Sequence, residues 1–214
     1  MQKAFVFDLN GTMIDDMEYH IRAWHSILNE LGANLSYEET KQQCFGKNHE
    51  LLERIFPGRF SPEEKNKLSI EKEKNYQKTF QPRLQLIDEL DSFLKKAKAA
   101  NIPIAIGSAA IMFNIDFVLD GLHIRQYIDA IVSSDDVSYS KPHPETFIKC
   151  AEKLGVPPEA CIVFEDAPKG VEAAAAAGMR AVVITSTHEK HEFHCFPNVV
   201  RFIENYHNLN IHEL

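Results

Sequence analysis

Four short blocks carry the side chains that could do chemistry together: Asp8-Leu9-Asn10-Gly11-Thr12, Gly107-Ser108-Ala109, Ser140-Lys141-Pro142 and Glu165-Asp166. Each comes at or shortly after the end of an apolar, β-branched run; the first run, Ala4 to Phe7, stops abruptly at Asp8. In an open α/β sheet, ligands bind at the carboxyl ends of the strands. The blocks supply a carboxylate nucleophile (Asp8), hydroxyls (Thr12, Ser108), a compact cation (Lys141) and two more carboxylates (Glu165, Asp166). Phosphoryl transfer needs that inventory: in-line attack, with the charge on the equatorial oxygens held by cations and donors. Asp8 can attack phosphorus and form an aspartyl-phosphate. Asp8, Glu165 and Asp166 meeting at one point would repel each other unless a cation joined them. Their hard oxygens select Mg²⁺, and the main-chain carbonyl of Asn10 can add a ligand. Ser108, in a turn expected to open a helix, can donate to a phosphate oxygen together with N–H groups of the Ala109 turn. Lys141 offers positive charge to the phosphate and to the carboxylates. Gly11 allows the tight turn after the strand.

Taken one at a time, these residues have plainer explanations: a strand-end turn, a helix cap, a solvated loop lysine, acids that complement a helix dipole. Their order at four strand ends favours a single site.

The elements that must position them read as α/β. Five runs, 4–7, 102–106, 130–133, 161–164 and 181–184, alternate with helical patterns, which predicts a Rossmann-like parallel sheet with helices on both faces. Residues 14–81 break the rhythm and predict a small helical cap domain, with 1–13 and 82–214 forming the core domain. Met17, Ile21, Trp24, Leu28 and Leu31 mark one apolar helix face, stopped by Gly32. Ser36 with Glu39, and Ser61-Pro62 with Glu64, are start signals for two further helices, the second running to about Phe80. The chain crosses twice between the domains, so a hinged cap could close over the strand ends and exclude water. Leu84, Ile87, Leu90, Leu94 and Ala97 predict a helix on the sheet. Pro168 begins another, and 198–203 reads as a short edge strand.

The chain has 214 residues, 44% hydrophobic and 25% charged, with a formal net charge of −8. That acidic balance argues against nucleic acid as a partner, because binding the phosphate backbone needs clustered Lys and Arg. It leaves room for a small phosphorylated metabolite. Cys44, Cys150, Cys161 and Cys195 form no CxxC pair and read as reduced, mostly buried thiols. No segment approaches the roughly 18 apolar residues of a membrane span. No signal peptide precedes the first strand, so a cytoplasmic location and no membrane partner are expected. A monomer is expected over an oligomer.

The ordered blocks resemble the haloacid dehalogenase superfamily, and within it the β-phosphoglucomutase-like branch. Tyr19-His20-x-Arg22-Ala23-Trp24, Ser140-Lys141-Pro142-x-Pro144 and Glu165-Asp166-x-x-x-Gly170-Val171-x-Ala173 carry the closer likeness. The resemblance implies a Rossmann-like core, a helical cap, Mg²⁺, and hydrolysis or transfer of a phosphoryl group on a small metabolite such as a sugar phosphate. It implies Asp8 as nucleophile, with Ser108, Lys141, Glu165 and Asp166 in the roles reasoned above. It also implies an aspartate at position 10 as general acid/base, protonating the leaving oxygen and then activating water or a hydroxyl. Here that position is Asn10. An amide does not titrate near neutral pH, and such assistance is worth about 10²–10⁴ in rate.

Three readings of Asn10 follow. The substrate has an acidic leaving group, such as an acyl phosphate or pyrophosphate. Alternatively, His20 stands in as the acid, against the plainer role of orienting the hinge. Thirdly, the protein is a catalytically weakened binder of phosphate ligands. A mutase is the activity most affected, since moving phosphate between two hydroxyls uses the proton transfer twice. By resemblance, substrate choice falls to Gly46-Lys47-Asn48-His49 between two cap helices, with Lys47 or His49 as a basic contact. Lys72, Lys74 and Lys78 are further candidates, although the interleaved Glu71 and Glu73 favour a solvated, salt-bridged face. Gln81-Pro82-Arg83 replaces the Pro-Gly turn usual at this return point. His188, His191, His194 and Cys195 have metal-like spacing, but surface polar residues are the expectation there.

Overall fold

The run Ala4–Phe7 is buried on both faces and forms β1. The structure, a computed structural model, describes residues 3–214. After β1 come α1 (Met17–Glu30), α2 (Tyr37–Gln43), α3 (Asn48–Ile55) and α4 (Pro62–Phe80). Then follow α5 (Leu90–Ala99), β2 (Ile104–Gly107), α6 (Met112–Gly121), β3 (Ala130–Val132) and α7 (Glu145–Leu154). The chain ends with β4 (Cys161–Glu165), α8 (Pro168–Ala176), β5 (Arg180–Ile184) and β6 (Val199–Ile203). Residues up to Asp15 together with Gln85–Leu214 make one compact unit, and Asp16–Leu84 make another. Among the described residues, no helix is long and apolar enough to cross a membrane.

The first unit is a six-stranded parallel sheet in the order β3-β2-β1-β4-β5-β6. This is the doubly wound Rossmann order, and its switch point lies where the strand order reverses, beside β1 and β4. Strands covered on both faces read as continuous apolar runs, which is why the sequence displays them clearly. On one face, Ala4, Val6, Ala105 and Val163 pack with Phe147 and Cys150 of α7 and with Val171 and Ala174 of α8. On the other, Phe5 and Phe7 meet Phe93 of α5, Phe164 and Tyr206; Phe7 and Phe164 stack at 4.4 Å. The expected edge strand is β6, parallel to β5.

One helix differs from expectation. α5 starts at Leu90, six residues after Leu84, because Glu89 takes a left-handed conformation (φ 66°) and breaks the helical path. Ile87 instead donates its N–H to the Met13 carbonyl at 2.9 Å, tying the chain to the segment after β1.

The second unit is all helical. Trp24, Ile27, Leu28, Leu51 and Leu52 form its core, and α1 packs on α4. Ser36 and Ser61 each make a capping box, with Glu39 and Glu64 respectively, as their spacing predicts. The expected solvated face of α4 is overturned at two positions: Lys72 and Glu73 are buried, while Lys74 and Lys78 are exposed. Lys72 lies over the Trp24 and Tyr76 rings, and Glu73 pairs with it at 3.0 Å.

All four cysteines are free. Cys150 and Cys161 are buried, Cys44 is half-buried and Cys195 is exposed. Burial pushes the Cys150 thiol up to about 12 and Cys161 up to about 11.

Candidate active site

Hydrogen bonds and strand register bring the four blocks to one edge of the sheet. Phe7 pairs with Phe164 and with Ile106, so Asp8 and Glu165 stand level at the carboxyl ends of β1 and β4. Asp8 donates its N–H to the Phe164 carbonyl at 2.9 Å, and Ser108 donates its N–H to Val132 at 3.0 Å. The apolar strands therefore fix where each polar turn begins.

Lys141 joins the blocks. Its Nζ lies 2.7 Å from Asp8 Oδ1 and 2.8 Å from Glu165 Oε1, and 4.5 Å from the centre of the Phe147 ring. Burial opposes its charge, but the Asp8 and Glu165 carboxylates outweigh burial and hold the ammonium well above its usual range. Lys141 thus stays a fixed cation.

Glu165 is committed on both oxygens. Oε1 accepts from Lys141, and Oε2 accepts the N–H groups of Asp166 and Ala167, each at 2.8 Å. Gly170 on α8 makes room for it, since a Cβ there would collide with the carboxylate. Glu165 thus serves Lys141 and the backbone, beside Asp8, Asp166 and the Asn10 carbonyl as further hard oxygen donors.

Asp166 is gripped by hydroxyls. Thr12 Oγ1 donates to its Oδ1 at 3.3 Å, and the nearby Thr187 hydroxyl favours its charged form. Burial and the neighbouring Glu165 and Asp8 charges push its carboxyl well above the usual range. Such an excess of negative charge is what a divalent cation relieves. Gly11 packs against this carboxylate; its φ of 76° and the space Asp166 fills both require glycine. Among the described residues, no three His, Cys, Asp or Glu side chains form a ready metal cage. Mg²⁺ is usually held by one or two carboxylates, with water and substrate phosphate completing the shell, so the donor set fits it.

Ser108 is buried at the end of β2, and Ala109 follows it half-buried. The Ser108 Oγ accepts the Ala110 N–H at 3.2 Å, while α6 begins only at Met112 after Ile111. Ser108 therefore belongs to the strand-to-helix turn and is not the helix cap.

Three contributors have no counterpart in the motif reading. Ser186 and Thr187 follow β5, and Tyr206 follows β6. The Ser186 hydroxyl donates to the Gly11 carbonyl at 2.5 Å, and the Tyr206 hydroxyl donates to the Thr12 carbonyl at 3.0 Å. The hydroxyl pair just past the end of β5 was the available sequence signal; Tyr206 had none.

The remaining candidates belong to the helical unit. His20 is buried and stacked on Tyr76 at 3.8 Å. Its Nε2 lies 3.1 Å from Asp16 Oδ2, and its Nδ1 lies 2.5 Å from Lys72 Nζ. Tyr76 OH donates to Asp16 Oδ2, and Asn48 donates to Glu73 at 3.0 Å. Lys47 precedes α3 and gives its N–H to Glu50 at 3.0 Å, while His49 is exposed in the first turn of that helix. His188 pairs with Glu192 at 2.9 Å and His191 lies 3.2 Å from Glu189, a surface arrangement.

A model of the haloacid dehalogenase-like hydrolase family matches residues 5–184. The chain is 31% identical over 183 residues to a fructose-1-phosphate phosphatase of Escherichia coli, covering 84% of this chain and 94% of that protein. It is 31% identical over 187 residues to the β-phosphoglucomutase of Bacillus subtilis, covering 84% and 82% respectively. The fold is similar to the crystal structure of a β-phosphoglucomutase from Clostridium difficile: TM-score 0.85, 28% identity, covering 100% of this chain and 95% of that one.

Proposed function

The chain belongs to the haloacid dehalogenase-like hydrolase family, and from that membership we propose a Mg²⁺-dependent phosphatase or phosphotransferase acting on a small phosphorylated metabolite. Relatives named as acting on fructose 1-phosphate and as β-phosphoglucomutase favour a sugar phosphate. The observation that carries this reading is the Lys141 bridge, 2.7 Å to Asp8 and 2.8 Å to Glu165. It couples a nucleophile, a fixed cation and an acid pair at the sheet's switch point.

The roles follow from the contacts. The Asp8 carboxylate attacks phosphorus and becomes an aspartyl-phosphate. Lys141 holds Asp8 in place and stabilises charge on the transferring group, and Ser108 with the Ala109 turn donates to its oxygens. Thr12 orients Asp166. Asp8, Asp166 and the Asn10 carbonyl would hold Mg²⁺, which when bound supplies positive charge against the phosphate oxygens. Lys47 and His49 are the proposed substrate contacts of the helical unit. The net charge of −8 argues against a nucleic-acid partner, and the free thiols suit a reducing cytoplasm with the protein as a monomer.

Asn10 favours a second reading, a catalytically weakened binder of phosphate ligands, because the amide offers no proton to the leaving group. The experiment is phosphate release from a panel of sugar phosphates, acyl phosphates and pyrophosphate with Mg²⁺, beside an Asp8→Asn variant. Release that disappears in the variant and with chelator supports the enzyme. Retained Mg²⁺ and phosphate binding without turnover selects the binder.

A further inference from the structure

Resting on the phosphoryl-transfer reading above, we propose that Asp8 carries a long-lived aspartyl-phosphate, loaded from acyl phosphates, whose leaving group departs as a carboxylate. The strand-end blocks carry the nucleophile and the cation that making this bond needs, and position 10 beside them carries an amide.

Every ionisable side chain in the four strand-end blocks already has a protein partner. Asp8 is held by Lys141, and Lys141 is shared between Asp8 and Glu165. Glu165 also accepts two backbone N–H groups, and Asp166 accepts the Thr12 hydroxyl. Position 10, two residues past the nucleophile, is an amide. These contacts position and neutralise charge. The Asn10 amide neither delivers a proton to a leaving alkoxide nor takes one from water.

Loading needs no proton. An Asp8 oxygen forms a bond to phosphorus, the bond from phosphorus to the acyl oxygen breaks, and its electron pair leaves on a carboxylate that is stable at neutral pH. A sugar phosphate would have to expel an alkoxide, which needs a proton. Unloading has the mirror problem. Water attacks phosphorus, the Asp8–phosphorus bond breaks, the carboxylate is restored, and the proton lost by water needs an acceptor. General-base assistance of this kind is worth about 10²–10⁴ in rate, so its loss lengthens the lifetime of the loaded form by about that factor.

The test treats the full chain with acetyl phosphate and Mg²⁺, quenches in denaturant and reads the intact mass. The loaded protein is then desalted and its decay followed. The native chain is expected to gain one phosphoryl group and to lose it at least about 10²-fold more slowly than Asn10→Asp. Glucose 6-phosphate is expected to load the native chain at least about 10²-fold more slowly than acetyl phosphate. The label is expected to be absent in Asp8→Asn and to be removed by hydroxylamine, which cleaves acyl phosphates; the second observation stands if the variant fails to fold. Equal lifetimes in the native chain and Asn10→Asp overturn the proposal while leaving the phosphoryl-transfer reading intact. So does native phosphate release without accumulation. If neither protein takes up or releases phosphate from any donor, both readings fall.

Discussion

The Tyr206 hydroxyl donates to the Thr12 carbonyl at 3.0 Å, linking residues separated by 194 positions. Burial and the nearby Asp166 and Asp8 charges raise the phenol well above its usual range, so it remains a donor at neutral pH. Its ring packs against Phe7, Phe93 and Phe164. The turn that carries the nucleophile is thereby fastened from the end of the chain. Tyr206→Phe keeps the ring and orphans a buried carbonyl, which costs about 1–3 kcal/mol. Urea unfolding should show that loss, and kcat should fall more than KM rises, because the loosened groups act on the transition state.

The Thr187 hydroxyl favours the charged form of Asp166, a proposed Mg²⁺ donor. Groups that orient a metal ligand typically change metal affinity by about 10–100-fold when removed. Thr187→Val preserves shape and deletes the hydroxyl. Mg²⁺ or Mn²⁺ affinity measured calorimetrically should fall within that range. The melting temperature of the metal-free protein should barely move, which separates positioning of Asp166 from general support of the fold.

The sheet and the four polar blocks were legible because one physical condition produces both. Strands buried on two faces must be apolar, so a polar group just past Phe7, Gly107 or Phe164 signals a turn at the carboxyl edge. Capping boxes at Ser36 and Ser61 were legible because the interaction is local. The start of α5 was obscured because Leu84 and Ile87 keep helical spacing, while the backbone at Glu89 turns left-handed. Lys72 and Glu73 read as solvated because adjacent opposite charges usually are; their burial depends on Trp24, His20 and Tyr76, which no local pattern places beside them. Ser186, Thr187 and Tyr206 act through long-range partners, and a hydroxyl carries no periodicity.

The buried Lys72–Glu73 pair gives a test within the helical unit. Burial opposes the Glu73 charge, but Lys72, then His20 and Asn48, more than compensate and lower its carboxyl below the usual range. Removing one partner of such a pair leaves an uncompensated buried charge, which costs about 3–5 kcal/mol. Lys72→Met should lower stability by that order in denaturant unfolding. Replacing both residues, Lys72→Met with Glu73→Leu, should recover most of it, since a well-packed apolar pair avoids the desolvation penalty. A double variant no better than the single one would show that the Asn48 and His20 contacts, rather than the charge, dominate.

Glu145 yields a pH-dependent prediction for the loop that leads to Lys141. Its carboxylate pairs with Lys149 at 2.8 Å and accepts the N–H groups of Tyr139 at 3.0 Å and Ser138 at 2.9 Å. Those contacts, led by Lys149, bring its carboxyl down to about 2. A carboxyl lowered by folding contributes stability that is present above its unfolded value, about 4.3, and is lost as pH falls through the folded value. The Ser138 and Tyr139 amides should therefore stay protected from hydrogen exchange at pH 5 and above, and lose protection as the pH drops from about 4 toward 2. Glu145→Gln removes the charge and should flatten this dependence, with faster exchange already at neutral pH. Because the loop precedes Lys141 directly, the same variant should weaken the bridge to Asp8 and slow phosphate release at pH 7, while Mg²⁺ affinity, for which Asp8 and Asp166 are the proposed donors, changes much less.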